Sequence, residues 1–97
     1  MTSYTVRVEL HDADGSDYDD LHNEMAKQGF SKTIQLDGVE HDLPTAEYSL
    51  IAYGITASAV LTKAQAAANA VKPKPKPSIV VTETEKPRVT SGLIKSE

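Results

Sequence analysis

The run His11-Asp12-Ala13-Asp14-Gly15-Ser16-Asp17 is the one dense group of potential ligands in this sequence. Oxygen donors at alternate positions, with Gly15 permitting a tight turn, resemble the opening of a Ca²⁺-binding loop. The pattern stops short of one. Counting Asp12 as the first position, the twelfth is Asn23, where a bidentate Glu is required. Asp12 and Asp14 are therefore candidate ligands for a smaller divalent ion, Mg²⁺ or Mn²⁺. The same acidic turn also reads as a solvated start to a helix. His11, His22 and His41 lie far apart, and no two stand at ligand spacing on one element. Ser, His and Asp are all present, but there is no nucleophile elbow and no glycine-rich phosphate loop. The run Lys72-Pro73-Lys74-Pro75-Lys76-Pro77 is the one cationic patch dense enough to touch phosphate. Its other reading is a solubilising, extended spacer.

These residues need elements to place them. Tyr4, Val6, Val8 and Leu10 alternate with Thr5, Arg7 and Glu9, the period of a strand with one face buried and one wet. The acidic turn then leads into a helix over 17–28. Ser16 is its expected cap, with Asp19 standing in for the capping-box Glu. Tyr18, Leu21 and Met25 form its apolar stripe, and Gly29 can close it in a left-handed conformation. Phe30, Ile34 and Leu36 share a strand face. Asp37-Gly38 is a two-residue hairpin turn, after which Val39, His41 and Leu43 run back. Pro44 marks an edge or a bend, and Ala46, Tyr48 and Leu50 continue as a third strand. Thr56 or Ser58 caps an alanine-rich second helix, which Lys72-Pro73 stops. Ile79–Thr84 reads as the last strand.

The order is β-α-β-β-α-β. This predicts an α+β, ferredoxin-like domain, a four-stranded antiparallel sheet with two helices on one face. Strands one and three fall in the centre. The domain spans 1–85, with 72–77 as a Lys/Pro spacer and 86–97 as a short extra strand or flexible tail. A bare sheet face on so small a domain makes a homodimer the expectation.

Composition narrows the function. The chain has 97 residues, enough for one small domain, and its 39% hydrophobic content allows only a thin core. The absence of Cys excludes disulfides and thiolate metal sites. A net charge of −4 disfavours sequence-specific DNA binding. No apolar run approaches a membrane span, and there is no signal-peptide pattern, so a cytoplasmic protein without membrane partners is expected. The outer sheet residues Thr5, Arg7 and Glu9 lack the aromatic pairs that stack bases in an RNA-recognition motif.

Several motifs together resemble a known family. Tyr4-x-Val6-x-Val8, Tyr18-x-x-Leu21-x-x-x-Met25, Gly29-Phe30-Ser31, Leu43-Pro44-Thr45-Ala46-Glu47-Tyr48 and the alanine-rich helix are similar to the GhoS-like family of small bacterial and prophage proteins. The resemblance covers most of residues 3–84. It implies a ferredoxin-like fold and the role of antitoxin in a type V toxin–antitoxin pair. The implied activity is an endoribonuclease cutting the toxin's mRNA, metal-independent or weakly dependent on Mg²⁺, with single-stranded RNA as partner. Cleavage through a 2′-OH attack needs a base and a group to stabilise developing charge. The resemblance carries over no catalytic residue; among the residues of this sequence, His11 or His22 with Arg7 are the candidates for those roles. Lys32, Lys72, Lys74 and Lys76 would meet the RNA backbone. Against this, the first helix carries Asp17, Asp19, Asp20 and Glu24, where an RNA-facing helix calls for Arg or Lys. The second expectation is thus a non-catalytic, dimeric prophage or accessory binding module.

Overall fold

The structure is a computed structural model that describes residues 2–86 and 88–96. The elements run β1 (Thr2–Glu9), α1 (Gly15–Lys27), β2 (Thr33–Leu36), β3 (Val39–Asp42), β4 (Glu47–Ala52), α2 (Ala57–Val71) and β5 (Ser78–Thr84). The class is α+β, as expected. β1 is the middle of a three-stranded antiparallel sheet in the order β4-β1-β5, and β2 and β3 form a separate two-stranded hairpin.

The alternation in β1 decides which face is which. Tyr4, Val6 and Val8 are fully buried beneath the helices. They join Leu21 and Met25 of α1, Val60, Ala64, Ala67 and Ala68 of α2, and Tyr48 of β4 in one core. Alanines along α2 let the helix sit close to the strands. Thr5 and Arg7 project to the other side, beside Ser49, Glu47, Thr82 and Val80, which the strand register places on the same face.

The expected fourth strand leaves the sheet almost as soon as it reaches it. Ser31 and Ser49 exchange two backbone hydrogen bonds of 2.8 Å, so the chain does begin to add to β4. Ser31 Oγ then accepts the Thr33 N–H at 3.1 Å. This side-chain turn bends the backbone away, and β2 pairs with β3 instead. Asp37 and Gly38 both take positive φ, 53° and 79°, as the two-residue turn requires. The hairpin curls over the outer face, where Ile34 and Leu43 are buried outside the main core. That face is therefore partly roofed rather than bare.

Helix ends differ in detail from the expected ones. Asp14, not Ser16, caps α1: its Oδ1 accepts from Asp17 N, while Asp17 Oδ2 accepts from Asp14 N. Asp at both positions completes the same reciprocal box two residues earlier. At the other end Gly29 takes φ 92°. Its N–H meets Ala26 O, and Phe30 N–H meets Met25 O, both at 3.0 Å, which is a Schellman close with Phe30 folded onto the core. Thr56 caps α2, and its Oγ1 accepts from Ala59 N. Residues 72–77 form no regular element, but Pro77 is buried at the start of β5. The tail is partly docked: Asp42 N donates to Ile94 O at 2.7 Å and Ser96 N to Glu40 O at 3.0 Å. Pro87 and Glu97 of the expected 86–97 segment lie outside the described residues. Among the described residues, no helix is long and apolar enough to cross a membrane.

Val8 is fully buried in the central strand, so Val8→Asp sets an unpaired charge in the core. The loss is about 3–5 kcal/mol. Circular dichroism of the variant should show no cooperative melting transition; a normal transition would overturn this strand order.

Candidate functional site

The three residues expected to do chemistry are not brought together. Arg7 points to the outer face, where it pairs with Glu47 at 3.6 Å. His22 lies on α1, across the sheet. His11 follows the end of β1, and its Nε2 is 2.8 Å from Ser78 Oγ. The expected phosphate contacts also scatter. Lys72, Lys74 and Lys76 sit at the end of the sheet where Ser78 pairs with Glu9, and Lys32 lies on the connection into β2. The candidate metal ligands fare no better. Asp14 is committed to the helix cap, and Asp12 stands on a turn with φ 55°. Among the described residues no three His, Asp or Glu side chains gather where they could hold a metal ion.

Two arrangements emerge that the sequence did not announce. The first joins His22, Tyr48 and Lys32. His22 Nδ1 is 2.6 Å from the Tyr48 hydroxyl. The Lys32 ammonium stands 4.9 Å from the centroid of the Tyr48 ring, close enough for a cation–π contact. The same ammonium donates to Pro44 O and Glu47 O, each at 3.1 Å. These two carbonyls flank a turn in which Glu47 N bonds Pro44 O and Ala46 takes φ 71°, a conformation that favours glycine. Lys32 thus clasps a strained turn.

Burial governs the titration of this group. It pushes the Tyr48 hydroxyl up, with Tyr18 adding to the effect. It pulls the Lys32 ammonium down, against the pull of Glu47 and Asp42. The His22 imidazole is held below its usual range by burial first and Lys32 second, partly offset by Asp19. The neutral imidazole and the Tyr48 hydroxyl form one hydrogen bond, whose donor depends on the His22 tautomer. Tyr48 itself is buried, so a substrate could reach only the His22 side.

The second arrangement is an open cleft of about 820 Å³ between the outer sheet face and the hairpin. The hydroxyls of Ser3, Ser31, Thr33, Ser49 and Thr90 line it, together with Gln35, Asp37, Glu40 and Arg88. Arg88 reaches across the sheet and donates to Thr5 Oγ1 at 3.2 Å. Burial lowers its pKa, and no neighbouring carboxylate offsets that. A guanidinium has five N–H donors, and Arg88 makes no ion pair among the described residues. A half-buried arginine with donors to spare is suited to an incoming carboxylate. Neither Tyr48 nor Arg88 carried a sequence signal: Tyr48 reads as a core residue, and Arg88 lies in the apparent tail.

In comparisons with known proteins, no family model, no curated protein and no solved structure matches this chain.

Three expected outcomes follow from the first group. Tyr48→Phe removes the hydroxyl from His22 and should lower stability by about 1 kcal/mol in urea unfolding. Because burial and Lys32 make the folded chain protonate His22 at lower pH than the unfolded chain does, the stability that rests on a neutral His22 is intact above the ordinary histidine range. It is lost as pH falls through that range towards the depressed folded value. The melting temperature should drop on that acid side, and His22→Gln should flatten the drop; an unchanged slope would count against a neutral His22 held by burial beside Lys32. Ala46→Gly, which relieves the turn, should raise stability by up to about 1 kcal/mol.

Proposed function

We propose that this chain is a non-catalytic binding module whose recognition surface is the cleft between the outer sheet face and the β2–β3 hairpin. The carrying observation is Arg88, half-buried there with no ion pair among the described residues although Asp37 and Glu40 also line the cleft, among hydroxyl groups that can bond an extended polar chain. The ligand this favours is an acidic peptide segment, its carboxylate on Arg88 and its backbone along the β4 edge beyond Ser49, in the manner of strand addition. A strand order of β5-β1-β4, with Ser31 starting a fourth position beside β4, supports reading the architecture as a ferredoxin-like variant. Its fourth strand is traded for a hairpin that walls the cleft.

The endoribonuclease antitoxin stands as the second reading. It draws on the resemblance, and in the structure on one feature, the close His22–Tyr48 pair. Against it, among the described residues no aromatic side chain lines the cleft for base stacking, and Lys72, Lys74 and Lys76 lie at the opposite end of β1 from Ser3.

Two experiments separate the readings. Titration of isotope-labelled protein with an acidic peptide should move the amide signals of Ser31, Ser49 and Thr90, and Arg88→Gln should abolish those shifts. Incubation with A/U-rich single-stranded RNA, with and without EDTA, should leave the RNA intact. Cleavage that His22→Gln abolishes would replace the binding module by the nuclease.

A further inference from the structure

We infer that the outer edge of β5, flanked by α2, is the self-association surface of this protein and takes a second copy in antiparallel pairing. β5 is a terminal strand of the sheet, hydrogen-bonded to β1 alone. Among the described residues nothing else bonds its backbone. The opposite sheet edge is treated differently, since β4 is met at Ser49 by Ser31. A seven-residue strand with a free edge pairs readily unless it is short, charged, bulged or interrupted by proline. Ser78–Thr84 is seven residues long, unbulged and free of proline, and its one charge is Glu83, next to its last residue.

The sequence of β5 is self-complementary in one register. A continuous sheet needs residues of the same face opposite one another, so the two-fold axis must pass through a residue rather than between residues. Centred on Val80, the pairing sets Val80 against Val80 on the outer face and Ile79 against Val81 on the helix face. Ser78 then meets Thr82. Glu83 falls opposite Pro77 of the copy, one residue from Lys76, and no acid faces an acid. Centring on Val81 or Thr82 instead sets Glu83 against Ile79 or Val81. In the isolated chain Val80 is 62% exposed, which is the residue that the favoured register covers.

A second observation comes from the helix above. α2 packs on β5 and β1. Across Ala57–Val71 its only charged residue is Lys63, whereas α1 carries Asp17, Asp19, Asp20, Glu24 and Lys27 in Gly15–Lys27. Depletion of charged residues marks the core of protein interfaces. The helix and strand on the β5 side of the molecule are both depleted, and the copy that extends the sheet also brings a second α2 alongside. This replaces the outer sheet face, partly roofed by the hairpin, as the place where two copies meet. It is independent of what the cleft binds.

The test uses the whole chain and its lack of cysteine. Light scattering coupled to size exclusion should give twice the monomer mass of 10.5 kDa. Val80→Lys places two ammonium groups opposite each other and should give a monomer with an unchanged circular dichroism spectrum. Paired residues lie about 4.5–5.5 Å apart at Cα, within disulfide reach. Oxidised Val80→Cys should therefore run as a covalent dimer, and Tyr53→Cys, 76% exposed beyond the end of β4, should not. A wild-type monomer at every concentration would overturn the inference. So would a dimer that persists in Val80→Lys and yields no Val80→Cys cross-link.

Discussion

Pairing of β1 on both sides is the constraint on which the rest depends. Its inner side chains Tyr4, Val6 and Val8 are sealed under both helices, and its outer ones meet water or the hairpin. A slip of one residue would turn Arg7 and Glu9 into the core and expose three large apolar groups, so the register is held far more firmly than hydrogen bonding alone would hold it. Tyr4 adds a tether, donating from its hydroxyl to Ile55 O at 2.6 Å and so fixing the connection into α2. With β1 saturated, new pairing in this sheet is left, among the described residues, to the outer edges of β4 and β5. The chain deals with one of them through Ser31.

The elements that follow local rules were legible in the sequence. Alternation gave β1, the Asp37-Gly38 turn gave the hairpin, and Gly29 gave the close of α1, because each depends on residues a few positions apart. What was not legible depends on small competitions. Ser16 and Asp14 are both good caps, and Asp17 decided between them by returning a bond to Asp14. The fourth strand was lost to one hydroxyl, since Ser31 Oγ takes the Thr33 amide and turns the chain. Propensity for extended structure is satisfied equally well in a sheet or in a hairpin, so no pattern of apolar residues could separate the two outcomes.

The site was less legible than the fold, for a reason of distance. Acid clusters and lysine runs are visible because their members adjoin in sequence, yet Asp14 proved to be a cap and the lysines a connection. His22 and Tyr48 are separated by a helix end and a hairpin, and Lys32 joins them only because the chain bends at Ser31. The same bend opens the cleft. Arg88 becomes part of that cleft because the chain after β5 crosses beneath β1 to reach Thr5. One local turn, then, both removes the expected strand and creates the surface that takes its place.

The two helices show what folding requires and what it does not. Both lie on one face of the same sheet, and each needs a single apolar stripe to stay there. α1 meets that need with Leu21 and Met25 and leaves its remaining surface acidic. α2 meets it with Val60, Ala64, Ala67 and Ala68 and leaves its remaining surface nearly uncharged, with Thr62, Gln65, Ala66, Asn69 and Ala70 exposed. Helix propensity favours the alanines in either setting, but it does not disfavour Glu or Lys on the solvent side, which form helix almost as well. The packing that holds α2 down therefore does not account for the missing charges. A neutral surface beside an unpaired strand edge, in a chain otherwise rich in carboxylates, is what the inferred pairing of two copies through β5 calls for.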